Sequence, residues 1–181
     1  MKKSRILLLA LSIIFVILSI LAIIYGESKI YSSILLLVIY IPYLIVIIFS
    51  DSPFGKAISI GFCGVEVISS SLMLGSIISA LIKTNEYNLI GLFIRLIIVA
   101  FNVIAIICFI RLLKGKKLGV IKLVLFVLLL IIVIYQLWYT FVLDYSLFEE
   151  ITIIKNTVFN IIIFSYLIIQ SGFSFNKRES W

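Results

Sequence analysis

Glu66, Arg95, Asn102, Gln136, Lys155, Asn156 and Asn160 are polar side chains embedded in runs of sequence that are otherwise apolar. A charged group at the centre of a bilayer costs several kcal/mol on insertion scales, so such residues face other helices or a water-filled cavity and mark a ligand, ion or proton site by default. The carboxyl of Glu66 can carry a proton or contact a cation, the Arg95 and Lys155 cations can hold an anion, and the amides can orient either. The structural alternative for Glu66 is a protonated carboxyl that makes interhelical hydrogen bonds.

Other chemistries lack their residues. Histidine is absent and there are only two cysteines, Cys63 and Cys108, so no zinc site and no disulfide scaffold is expected. No H-E-x-x-H, paired intramembrane aspartate, or nucleophile with a base at workable spacing occurs, and neither does a phosphate-binding Walker motif. The sequence therefore predicts a non-enzymatic protein without metal, cofactor or ATPase of its own. Cys63 and Cys108 read as small buried apolar residues.

These polar groups must be positioned by helices in lipid. Of 181 residues, 64% are hydrophobic and 13% charged, with a mean hydropathy of +1.35, against about 45–50% apolar and about 25% charged in soluble domains. A spanning helix needs roughly 20 mostly apolar residues, and the segments 6–25, 30–50, 57–82, 89–113, 118–143 and 151–170 qualify. The expected fold is an all-α bundle of six transmembrane helices forming one domain over residues 1–181, with no soluble domain. Lys2, Lys3 and Arg5 precede the first apolar run, which is long for a signal peptide and lacks a small-x-small cleavage pattern, so it reads as a retained span.

Charge sets the orientation. With the N-terminus inside, Lys2, Lys3, Arg5, Lys56, Arg111, Lys114, Lys116, Lys117, Lys122, Lys177 and Arg178 fall on the inner side, and Lys29, Lys83 and Lys155 on the outer. Glu27, Glu86, Asp144, Glu149 and Glu150 fall outside. The positive-inside rule then places both termini in the cytoplasm. Isoleucine supplies 40 residues, as an AT-rich coding sequence would give, which points to the plasma membrane of a prokaryote. The net charge of +7 reads as attraction to anionic inner-leaflet lipid, strongest at residues 111–122, rather than to nucleic acid.

Within the elements, Asp51-Ser52-Pro53 reads as a helix start, Glu149 and Glu150 suit the positive end of the sixth helix, and Pro42 predicts a kink. Tyr135, Trp138, Tyr139, Phe175 and Trp181 resemble interfacial anchors. The third span has two faces: Glu66 with Ser59, Cys63 and Ser70 on one, and Ala57, Gly61, Gly64, Ser71, Gly75 and Ser79 within about 40° of the opposite side. The small residues read as a helix-packing ridge.

Depth then limits the partners. Glu66 lies roughly 5 Å to the inner side of its span's centre and Arg95 roughly 9 Å to the outer side, a gap of about 14 Å that argues against their pairing. Asn102, Asn160 and Ser70 are the expected hydrogen-bond partners of Glu66. Thr152, Asn156, Asn160 and Gln170 form a polar stripe on the sixth span. Arg95, Gln136, Lys155 and Asn156 fall roughly 7–9 Å outward of centre, which predicts an outward-open pocket for an anionic or polar solute, floored by Glu66 and the asparagines. The alternative is that Lys155 and Arg95 snorkel to headgroups or pair with the outer acids.

These features fit a solute-binding or transport component that would need a separate ATPase subunit for ATP-driven work. In size and topology alone the chain resembles the substrate-binding membrane subunits of energy-coupling-factor importers. Their usual small-xxx-small signature in the first helix is missing, since only Ala10, Ser12, Ser19 and Ala22 are small there, and no family is assigned. The other reading is an accessory, immunity or assembly protein that binds a membrane-protein partner through the small-residue ridge.

Overall fold

The computed structural model describes residues 3–25, 30–49, 53–84, 89–142 and 147–172. The Asp51-Ser52 cap, the outer acids Glu27, Glu86 and Asp144, and the tail with Phe175, Lys177, Arg178 and Trp181 lie outside the described residues. Nothing in lipid replaces a lost backbone hydrogen bond, so an apolar chain there must satisfy its own N–H and C=O groups, as a helix does. The described residues are accordingly all helix and short turns, with no strand among them. The helices are α1 (Lys3–Tyr25), α2 (Ile30–Phe49), α3 (Pro53–Thr84), α4 (Leu89–Leu113), α5 (Ile121–Val142) and α6 (Leu147–Gln170).

Among the described residues, five helices are long and apolar enough to cross a membrane, over Arg5–Tyr25, Pro53–Ser79, Leu92–Leu113, Ile121–Trp138 and Ile151–Gln170. α2 contains Pro42 and carries the apolar stretch Leu37–Phe49. The surface carries the signature of a lipid-facing protein: Leu72, Phe49, Phe93, Ile68 and Leu123 are among many large apolar side chains left exposed, far beyond the patch a soluble monomer tolerates.

Boundaries differ from the hydrophobic runs where the chain has a specific stop. Hydropathy places the fifth span from 118, but α5 starts at Ile121 because α4 ends in a glycine-closed cap. Gly115 adopts φ +68°, the Lys116 N–H donates to the Arg111 carbonyl at 2.8 Å, and the Gly115 N–H to that of Leu112 at 3.1 Å. This is the Schellman arrangement, which satisfies carbonyls that a helix end leaves orphaned. The Arg111 guanidinium donates to the Lys117 carbonyl at 3.1 Å, and Gly119 makes a second turn at φ +54°. α6 begins earlier than expected, so Glu149 and Glu150 lie within its first turn.

Each helix packs on its neighbours in sequence, and α1 also packs on α6, closing a ring that α4 and α6 bridge across the middle. Aromatic rings fill part of the interior beside Glu66. Tyr40 and Tyr43 from α2, Phe62 from α3, Phe15 from α1 and Phe159 from α6 stack at centroid distances of 4.3–6.1 Å. The Tyr43 hydroxyl lies 3.0 Å from Ser59 Oγ, which donates its single proton to the Gly55 carbonyl at 2.8 Å. Tyr43 is therefore the donor of that pair.

The small-residue ridge is not a packing face within this chain. Ala57, Gly61, Ser71, Gly75 and Ser79 are exposed and Gly64 is half-buried; a Cβ added at Gly61, Gly64 or Gly75 would meet nothing within 4 Å. α3 instead buries Gly55, Ser59, Cys63 and Ser70. The reason is one of magnitude. Leaving a carboxyl and two hydroxyls in lipid would cost several kcal/mol, a penalty that the glycines and alanine of the opposite face do not carry.

Candidate functional site

α3 turns Glu66 and Ser70, one helical turn apart, toward the bundle interior. α4 contributes Arg95 and Ile98, α5 contributes Gln136, and α6 contributes Asn156, Phe159 and Asn160. Four helices thereby converge on one cavity of about 30 Å³. A water occupies about 10–15 Å³ of such space, so the cavity has room for about two molecules of that size. Ser70 and Asn160 are buried, Glu66, Arg95 and Gln136 half-buried, and Asn156 opens to the exterior.

Glu66 is the hub. The Tyr40 hydroxyl from α2 is hydrogen-bonded to its carboxyl, and Lys155 and Arg95 both act on it electrostatically, Lys155 more strongly. Lys155 is half-buried and is not among the residues that line the cavity. On α6 the Thr157 hydroxyl lies against the carboxamide of Gln136 and 2.9 Å from the Ile153 carbonyl, which fixes the Gln136 side chain relative to α6. With Glu66 ionised the cluster carries two cations and one anion. With Glu66 protonated it carries two cations alone.

Three expectations need correction. Glu66 and Arg95 line the same cavity despite the 14 Å separation inferred from span centres. α3 has 32 residues, or about 48 Å of helix, against a hydrocarbon core of about 30 Å, so the midpoint of its apolar run does not mark the midplane. Arginine's long side chain covers part of what remains. Asn102 is not at the site. It is fully buried, donates at 3.0 Å to the Ile98 carbonyl of its own helix, and leaves its Oδ1 without a hydrogen-bond partner. Nor is it the partner of Glu66; Tyr40 is.

The remaining candidates fall as follows. The structure brings together Glu66, Arg95, Gln136, Asn156 and Asn160 as lining and Lys155 as a nearby charge. Sequence reasoning missed Tyr40 and Thr157. Tyr40 and Tyr43, spaced i and i+3 on one face of an otherwise apolar helix, are the signal that could have found the first. Thr157 looks like an ordinary apolar-tolerant residue until Gln136 is placed beside it. Cys63 and Cys108 are free and buried, and no metal-binding group of His, Cys, Asp and Glu occurs among the described residues.

A second hollow, about 240 Å³ in volume, opens between α1 and α2 along Leu9, Val16, Ile41, Leu44 and Ile48. Its one hydroxyl, Ser12, is already bonded to the Leu8 carbonyl at 2.8 Å. It offers no polar chemistry and has the character of an acyl-chain groove. Comparison of the chain with protein-family models, curated proteins and solved structures finds no match.

Proposed function

We propose that this protein is a multi-pass component of a prokaryotic plasma membrane that binds a small charged or polar solute within the bilayer and takes part in its transport, without an ATPase of its own. The observation that carries this reading is the convergence of Glu66, Arg95, Gln136, Asn156 and Asn160 from four helices onto one cavity. A bundle that needed only to be stable would do as well or better with apolar side chains there, since buried ion clusters seldom add net stability. A drug-sized solute needs roughly 300–1,000 Å³, about tenfold more than this cavity offers, so the solute is small.

The topology that goes with this function has six spans and both termini cytoplasmic, supported by the distribution of Lys and Arg. Lys114, Lys116 and Lys117 in the α4–α5 connection are exposed, as suits contact with anionic inner-leaflet headgroups. In this orientation the cavity lies toward the outer leaflet. The test is flux in proteoliposomes offered halides, small carboxylates and monovalent cations. At least one should cross, and Glu66→Gln, Arg95→Ala and Asn160→Leu should each abolish its uptake while the protein stays folded. No flux of any of them, or flux that survives all three substitutions, would defeat the reading.

A second reading is favoured by the outward-facing ridge of α3. Open space beside Gly61, Gly64 and Gly75 would admit a partner helix, as expected of an accessory, immunity or assembly protein or of a subunit docked on a separate ATPase assembly. Gly75→Leu should then break a membrane complex captured by cross-linking, and an intact complex would count against it.

A further inference from the structure

We infer that the cavity between α3, α4, α5 and α6 is a halide site, and that the guest and the Glu66 carboxylate compete for the same pair of cations. The inference rests on the transport reading and gives it a substrate class.

Three observations lead there. The first is charge. Arg95 on α4 and Lys155 on α6 both act on Glu66, and a cation entering between them would meet two like charges. The second is the donor inventory. Arg95, Ser70, Gln136, Asn156 and Asn160 in the lining all carry N–H or O–H groups able to hold an anion, while the one anionic side chain among them is Glu66. The third is size. A cavity of about 30 Å³ favours a monatomic anion little larger than water over sulfate, phosphate or an organic acid.

The linkage follows from the charge count. While Glu66 is ionised it is the counterion of Arg95 and Lys155, and the site is one charge from neutral. Once Glu66 takes a proton, no other carboxylate among the described residues stands beside the two cations, and in a medium of low dielectric an unpaired charge is costly. A halide supplies it. One proton bound at the carboxyl thus favours one halide bound beside it, and by reciprocity halide favours the proton. The groups that face Glu66 from every packed element are Tyr40 on α2, Cys63 on α3, Arg95 on α4 and Lys155 on α6. Of these, Tyr40 can donate to the carboxylate, and Arg95 and Lys155 are the basic groups beside it.

The experiment uses the full chain in nanodiscs, with thermal unfolding followed in sodium chloride or bromide against sodium gluconate at equal ionic strength, from pH 5 to pH 8. Wild type should be stabilised by halide at low pH, with apparent affinity falling by about tenfold per pH unit where Glu66 is ionised, as one linked proton requires. Glu66→Gln, which removes the competitor and keeps the shape, should bind halide with no pH dependence. Arg95→Gln should lose the effect at every pH. Chloride NMR line broadening on the wild type reads the same site without any substitution. If Glu66→Gln responds to chloride no more than to gluconate, or if the wild-type halide effect ignores pH, the inference is overturned. Halide binding without flux of any solute would instead remove the transport reading and leave the site, whereas flux of another solute with no halide response would remove the halide alone.

Discussion

At the scale of single residues, Glu66 is held by one hydroxyl and two cations from three other helices, and each contact has a separable consequence. Tyr40→Phe keeps the ring in its aromatic stack and deletes only the hydroxyl on the carboxyl. A lost hydrogen bond to a buried polar group costs about 1–3 kcal/mol, so reversible unfolding in detergent should show a loss of that size; a neutral result would mean that the hydroxyl contributes nothing to Glu66. Asn102 gives the opposite expectation. Its Oδ1 is unsatisfied and its one bond is to its own helix, so Asn102→Val should leave uptake intact and stability unchanged or raised by about 1 kcal/mol. Lost uptake would return Asn102 to the site. Gly55 is a third case, because a Cβ there would lie 2.5 Å from the Tyr166 hydroxyl oxygen. Gly55→Ala should destabilise by about 1–3 kcal/mol, the usual cost of overpacking, and adding Tyr166→Phe should recover most of it. If the double variant is no better than the single, the clash is not the cause.

At the scale of elements, α3 decides the arrangement. It is long enough to exceed the hydrocarbon layer, it shows its carboxyl and hydroxyls to the bundle, and its small residues look outward. Gly75→Leu should therefore leave the unfolding midpoint of the isolated protein where it was, since nothing within 4 Å meets the new side chain. A clear drop would mean that the ridge packs inside the chain after all. The α4–α5 connection makes a different kind of prediction. Gly115 holds φ +68° within a hydrogen-bonded cap, and an L side chain there is strained, so Gly115→Ala should cost about 1 kcal/mol or more. An unchanged midpoint would show that the turn relaxes freely. The two faces of α3 were legible beforehand in residue spacing and type, whereas the glycine-closed end of α4 was not, and hydropathy places the fifth span three residues early. The choice between the two faces was not legible either, because small residues and polar residues both argue for burial and only the neighbours available decide which wins.

At the scale of the whole molecule, six helices form a ring in chain order, closed by α1 on α6 and crossed by α4 on α6. That closure makes α6 a neighbour of α1, α4 and α5 together, and it carries Thr157 and Asn160 into the interior, with Lys155 half-buried and Asn156 at the mouth of the cavity. The even crossing number that accompanies the proposed function has a direct test: reporter fusions at Met1 and Trp181 should both be active in the cytoplasm, and fusions on opposite sides of the membrane would reverse the assignment of the cavity to the outer leaflet.

The apolar composition and the spacing of polar residues determined by themselves that this chain is helical, where its helices run to within a few residues, and which polar side chains, Glu66, Arg95, Gln136, Asn156 and Asn160 among them, interrupt the apolar runs. Those properties are local: helix period, hydrophobic length and the cost of a bare charge in hydrocarbon act on each segment alone. Tertiary structure decided the rest. That Arg95 reaches the cavity lined by Glu66, that Tyr40 is hydrogen-bonded to its carboxyl, that Asn102 stands apart, and that the space left is the size of a water or two depend on helix tilt, on side-chain reach and on which helices touch. None of these is a property of any one helix.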